Sequence, residues 1–272
     1  MQTATARSRS MFQSPRAVAL AQAIGTTLLA LVALTVAGAA THMLNPYLQG
    51  ALATLAGGVG VSLLVAAGRP SYLALGAISP QLALRALLLG VALAVAGSVL
   101  IELERRAIPA FAATMLDLEK HYAELLRPAD PRAIPAILLS VAVAPAFAEE
   151  LLFRGVIRSQ LAAFLPASRI VIVAALFACL HVMPPLLLPI FVVSLFWTTL
   201  GERAGGWLAP AFVHFAFNGF NGVVMPRLAS TEELPTSQLL LLGGGMFVLA
   251  ALLLRWALAA IPPQSDASPV DR

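Results

Sequence analysis

Five ionisable residues stand inside stretches of sequence that are otherwise almost wholly apolar. Glu149, Glu150 and Arg154 lie in Ala148-Glu149-Glu150-Leu151-Leu152-Phe153-Arg154, His181 ends Phe177-Ala178-Cys179-Leu180-His181, and His214 opens His214-Phe215-Ala216-Phe217-Asn218. A charged side chain at bilayer depth costs roughly 2.5–3.5 kcal/mol on insertion scales, so each of these positions is a functional hypothesis.

Spacing narrows the chemistry. On a helix, Glu150 and Arg154 share a face, where an ion pair offsets part of the cost of inserting both. Glu149 points about 100° away from Glu150. Having no partner on its own helix, it has to look toward another helix or a water-filled cavity. His214 and Asn218 also share a face and present an imidazole and an amide to one spot. A carboxylate, two imidazoles and an amide are the parts of a hydrolytic centre. The carboxylate takes a proton from water, a ring orients that water, and a ring or amide donor stabilises the developing oxyanion. No serine or cysteine nucleophile is required. One Glu and two His are equally a ligand set for a catalytic zinc with an open position for water, and the residues alone permit both.

Each piece also has a plainer role. An intramembrane His can bond a neighbouring helix, Asn218 can hold helices together, and Phe177 and Cys179 can simply pack. Arg85, near the start of a run, can extend to the interface. None of these accounts for Glu149 beside an already paired Glu150.

The elements that must carry these groups follow from composition. Of 272 residues, 60% are hydrophobic and 11% charged, with a mean hydropathy of +0.88. Soluble domains run at roughly 45–50% apolar and about 25% charged, so the excess faces lipid. A disordered chain and a coiled coil are excluded, and a single cysteine, Cys179, excludes a disulfide scaffold. The net charge of +4 comes from 17 basic residues, all but Lys120 arginine, scattered between apolar runs without an aromatic-interleaved basic face. That pattern reflects topology, with no nucleic-acid partner.

Apolar runs span about Ala17–Ala40, Gly50–Ala67, Leu82–Ile101, Ala133–Phe153, Ile170–Val182, Leu186–Leu200, Trp207–Val224 and Leu239–Ala259. Helices are required, because an isolated strand in lipid would leave its backbone donors unpaired. The fold class is all-α: a polytopic integral membrane protein of about eight transmembrane helices. The first run is too long for the roughly 7–15 residues of a signal h-region and reads as an uncleaved span. The fifth and sixth are short and meet at Met183-Pro184-Pro185, as a tilted pair or a buried hairpin. The glycines of Gly57-Gly58-Val59-Gly60 read as close helix packing.

The organisation is then a cytoplasmic tail at 1–16, three spans within 17–101, an amphipathic interfacial connector at 102–132, a core at 133–225, a loop and last span at 226–261, and a tail at 262–272. The connector carries Glu102, Glu104, Asp117, Glu119, Glu124 and Asp130, with Phe111, Met115, Leu118, Tyr122 and Leu125 at helical spacing. Both tails are polar and read as disordered. With the N-terminus cytoplasmic, Arg7, Arg9, Arg16, Arg69, Arg85, Arg154, Arg158, Arg169, Arg203, Arg255 and Arg272 fall on that side. Arg105, Arg106, Lys120, Arg127, Arg132 and Arg227 fall opposite. This satisfies the positive-inside rule and puts both ends in the cytoplasm.

The three charged segments, in this order, resemble the motifs of the CPBP intramembrane proteases, also called the CAAX prenyl protease or Abi family. Glu-Glu-x-x-x-Arg matches Glu149, Glu150 and Arg154; Phe-x-x-x-His matches Phe177 and His181; His-x-x-x-Asn matches His214 and Asn218. The likeness covers roughly Pro135 to Val224. It implies an all-helical endopeptidase with its site inside the bilayer. Glu149 would be the general base, with His181 helping to activate water. His214 and Asn218 would stabilise the oxyanion, and Glu150, Arg154 and Phe177 would support the motif.

No metal is favoured, since no His-Glu-x-x-His helix is present; if zinc were used, Glu149, His181 and His214 would hold it. The implied partners are the bilayer and a peptide or membrane-protein substrate that could carry a lipid, and the implied location is a bacterial inner membrane. Two other readings compete: a catalytically silent scaffold or immunity-type binding protein of the same fold, and a proton-coupled transporter. The transporter lacks support in internal symmetry.

Overall fold

In the computed structural model, residues 14–126, 131–225 and 234–262 are described. Among them are nine helices and no strand: α1 Pro15–Ala40, α2 Pro46–Val65, α3 Pro80–Ala107, α4 Pro109–Leu126, α5 Ile134–Ala163, α6 Pro166–Leu180, α7 Pro184–Ala204, α8 Leu208–Val224 and α9 Thr236–Leu258. Six of them, α1, α2, α3, α5, α7 and α9, are long and apolar enough to cross a membrane, while α6 and α8 are shorter apolar helices. The protein is an all-α polytopic membrane protein.

The helix starts are written in the sequence. Six of these helices, α1, α2, α3, α4, α6 and α7, begin on a proline. The missing N–H costs nothing there, and its fixed φ suits the first turn. Three of these prolines follow a capping side chain: Ser14, Asn45 and Ser79 accept from the backbone N–H of Ala17 (3.1 Å), Tyr47 (2.9 Å) and Leu82 (3.1 Å). Helix α7 ends where Gly205 turns left-handed at φ +75°.

Several expectations change. The sixth run, short as a stretch of apolar residues, lies in a 21-residue helix, because Pro184-Pro185 start α7 and Gly201-Glu202-Arg203 continue it. Helix α3 continues through the acidic start of the connector to Ala107, and Glu102, only 6% exposed, accepts from Arg105 (2.7 Å) and Arg106 (2.6 Å). Cys179 does not pack inside; it is exposed on α6. Arg85 does not simply extend to the interface: it donates to the Trp256 carbonyl at 2.6 Å and lies 4.3 Å from that indole, joining α3 to α9. The tails at 1–13 and 263–272, Arg7, Arg9, Arg127, Asp130, Arg227 and Arg272, and the side chains of Asp117, Leu118, Glu119, His121, Tyr122, Glu124 and Leu125 lie outside the described residues.

Leu28, Val32 and Val36 of α1 and Leu240, Leu241, Val248 and Leu252 of α9 are exposed, an outer surface suited to lipid. Inside, helices approach through small residues, as membrane bundles must when hydrophobicity drives no association. Gly58 of α2 rests on Ala148, one residue before Glu149: a Cβ there would sit 2.6 Å from the Ala148 backbone. Gly90 of α3 lies against α8, where a Cβ would be 2.3 Å from the Val213 carbonyl, next to His214. Gly90→Ala is therefore expected to destabilise the protein by about 1–3 kcal/mol, as overpacking does. It should also lower activity by shifting α8, and thermal unfolding in detergent with a cleavage assay checks both.

Candidate active site

Helix α5 brings the paired carboxylates to the middle of the bundle, and it is irregular on both sides of them. Pro145 cannot donate and would clash with the carbonyl four residues back, and a π turn at Leu139–Val143 precedes it. A second π turn, Leu151–Ile157, begins directly after Glu150 and contains Arg154. A third, Phe220–Val224, follows Asn218 on α8. Such widened turns concentrate at functional sites, where they re-aim side chains within a helix.

Glu150 and Arg154 are both fully buried, and Oε1 of Glu150 accepts from the Arg154 guanidinium at 2.9 Å. The rest of that guanidinium is held by α7. It donates to Ser194 Oγ (2.5 Å) and to Thr198 Oγ1 (3.1 Å from Nε, 2.9 Å from Nη2). Its plane lies over Phe177 (4.4 Å) and near Trp197 (5.6 Å). A buried charge survives only when paired and bonded in this way.

The same Glu150 oxygen lies 2.9 Å from Nδ1 of His214, which is 3% exposed. A carboxylate oxygen only accepts, so Nδ1 carries the proton. In the neutral ring Nε2 is then the acceptor, and it takes a bond from the Asn218 amide nitrogen at 3.0 Å. Trp197 stacks on His214 almost in parallel, 9° between planes and 5.2 Å between centres. Arginine, carboxylate, imidazole and amide thus form one chain across α5 and α8, fastened to α7.

His181 stands at the C-terminal end of α6, half-buried, with Nδ1 3.0 Å from the Phe177 carbonyl. The carbonyl fixes the proton on Nδ1 and leaves Nε2 with a lone pair and no protein partner among the described residues. The next residue, Val182, has φ +53°, a left-handed conformation unfavourable for a β-branched side chain, so the chain leaves the helix sharply. Phe177 sits between the two imidazoles, edge-on to His181 at 5.1 Å and to His214 at 5.7 Å.

Glu149 behaves unlike its neighbour. It is half-buried and forms no hydrogen bond or ion pair among the described residues, while lying close enough to Arg154 for the two charges to attract. Glu150, Arg154, Phe177, His214 and Asn218 are therefore in direct contact, His181 joins them through Phe177, and Glu149 adjoins them without a bond. Glu149, His181 and His214 do not gather into a zinc site: no group of three His, Cys, Asp or Glu side chains among the described residues is placed to hold a metal ion, and both ring nitrogens of His214 are engaged.

Sequence reasoning missed Ser194, Trp197 and Thr198. Their spacing of three and four puts them on one face of an apolar helix. Yet hydroxyls in such helices commonly bond their own backbone, as Thr199 does to Leu195 at 2.7 Å, so spacing alone does not single them out.

No curated protein and no solved structure matches the chain. Residues 131–220, about a third of its length, match the family model for type II CAAX prenyl endopeptidase Rce1-like proteins. That stretch holds all three motifs and the α7 residues that brace them, so this third of the chain is similar to the type II CAAX prenyl endopeptidases.

Proposed function

We propose that the chain hydrolyses a peptide bond of a membrane-associated peptide or protein with water activated by Glu149. The observation that carries this reading is the unequal commitment of two adjacent carboxylates: Glu150 is bonded to Arg154 and His214, and Glu149 has no hydrogen bond or ion pair among the described residues. A base has to be free to take a proton.

Water held by Nε2 of His181 gives its proton to Glu149 as its oxygen adds to the scissile carbonyl. The oxyanion receives the second amide hydrogen of Asn218, whose first is spent on His214. His214 acts mainly by fixing that amide, and Glu150 by fixing the His214 tautomer. Collapse of the tetrahedral intermediate breaks the C–N bond, and Glu149 returns its proton to the leaving amine. The site needs no metal for these steps. Elemental analysis should find no stoichiometric zinc, and dialysis against a chelator should leave cleavage unchanged; loss of zinc together with activity would overturn this part.

The distribution of arginines supports an orientation with both ends in the cytoplasm, and the Arg-rich, Lys-poor, Ala- and Leu-rich composition supports a bacterial inner membrane. The substrate class is tested in proteoliposomes with peptides ending in a CAAX sequence, farnesylated or bare, and products identified by mass. Internal cleavage of either supports the proposal and reports whether a lipid is needed. Proton flux through the vesicles without cleavage of peptides or membrane-protein substrates would overturn it.

A further inference from the structure

Away from these residues, α1, the end of α2 and the end of α5 border an open crevice of about 460 Å³. It lies at one membrane face, where Arg16 of α1 donates to the Ala163 carbonyl closing α5 at 3.2 Å, and where α2 gives way to Arg69. Its wall mixes polar side chains, Gln22, Thr26, Gln160 and Arg69, with the apolar Leu29 and Val65.

The polar groups are incompletely used. Gln160 is 9% exposed, donates to Thr26 Oγ1 at 2.9 Å, and has its Oε1 buried with no partner. The Thr26 hydroxyl accepts that bond and has its own hydrogen to give. Arg69 spends one N–H on the Tyr72 hydroxyl (2.9 Å) and lies 5.5 Å from that ring, which leaves further donors on an exposed guanidinium. A buried acceptor without a donor costs about 1–3 kcal/mol, so it calls for a ligand hydroxyl or a water.

We propose that this crevice binds the headgroup of an anionic phospholipid bearing a free hydroxyl, with the phosphate on Arg69 and Thr26 and the hydroxyl on Gln160. Leu29 and Val65 receive the glycerol and first acyl carbons. The flanking Leu28, Leu63 and Leu64 are exposed to lipid, which favours a bilayer component over a soluble phosphate ester as the source of this chemistry. The site lies ten residues beyond Glu150 on α5, roughly 15 Å along a helix, so it would act on the stability of the α1–α2–α5 unit without touching the reacting groups.

The test is thermal unfolding of the full-length protein in neutral detergent, titrated with dioleoyl phosphatidylglycerol, dioleoyl phosphatidylcholine or glycerol 3-phosphate. Phosphatidylglycerol is expected to raise the unfolding temperature at least tenfold more potently than phosphatidylcholine. Arg69→Gln and Thr26→Val should each weaken that response, whereas Arg255→Gln, an exposed charge outside the crevice, should not. Glycerol 3-phosphate acting as potently as the lipid, and through Arg69, would overturn the bilayer as source and leave a phosphate-ester site. Equal responses to both lipids, or equal losses in Arg69→Gln and Arg255→Gln, would overturn the site itself.

Discussion

Glu149→Gln is expected to lower peptide cleavage by about 10²–10⁴-fold, the usual contribution of a positioned general base, and to leave the fold intact. The substitution keeps shape and polarity and removes only the ability to accept a proton. Because Glu149 is half-buried and bonded to nothing among the described residues, its loss should change stability by no more than about 0.5 kcal/mol, as for substitutions away from any network. Cleavage assays on wild type and variant, paired with thermal unfolding, read both quantities. A variant that cleaves at the wild-type rate would remove Glu149 from the mechanism, and one that unfolds far earlier would make it a structural residue.

Arg154→Leu should behave in the opposite way, with stability as the first casualty. It strands the fully buried Glu150 carboxylate and leaves Ser194 and Thr198 without their donor. Breaking a buried pair from one side costs about 3–5 kcal/mol, enough to unfold many domains outright. The informative companion is the double substitution Glu150→Leu with Arg154→Leu, which removes both charges at once. Replacing a buried pair by apolar groups is often neutral or stabilising, so much of the stability should return. Activity should not return, since His214 then has no carboxylate to hold its Nδ1 proton and orient the ring toward Asn218. Recovery of cleavage along with stability would show that Glu150 serves only the fold.

The contrast between these two acids was partly readable from their positions. Glu150 stands one helical repeat from Arg154 and Glu149 does not, which is enough to say that one is paired and the other left over. The sequence could not say that Glu150 also reaches His214, which lies 64 residues further on. Pairing rules within a helix are local; contact between α5 and α8 depends on how separate helices pack, as α3 and α8 do at Gly90. The polar face of α7 was equally hidden, because a serine and a threonine in an apolar helix look the same whether they serve their own backbone or another helix's arginine. The helical form of the connector's start and the exposure of Cys179 were hidden for one reason: hydropathy reports how apolar a stretch is, not which side of a helix meets protein and which meets lipid.

The sequence by itself determined that the chain is helical, that it lives in lipid, where several of its helices begin, and which few residues are too costly at bilayer depth to be there without purpose. These follow from local chemistry: proline and capping side chains at helix starts, backbone pairing inside hydrocarbon, and the energy of burying charge. Only the tertiary structure decided which of those residues touch. It set Glu150 between Arg154 and His214, tied Asn218 to the ring, braced the arginine on α7 and left Glu149 without a bond among the described residues, because side chains from separate helices meet through packing of small residues and widened turns that no spacing within one segment encodes.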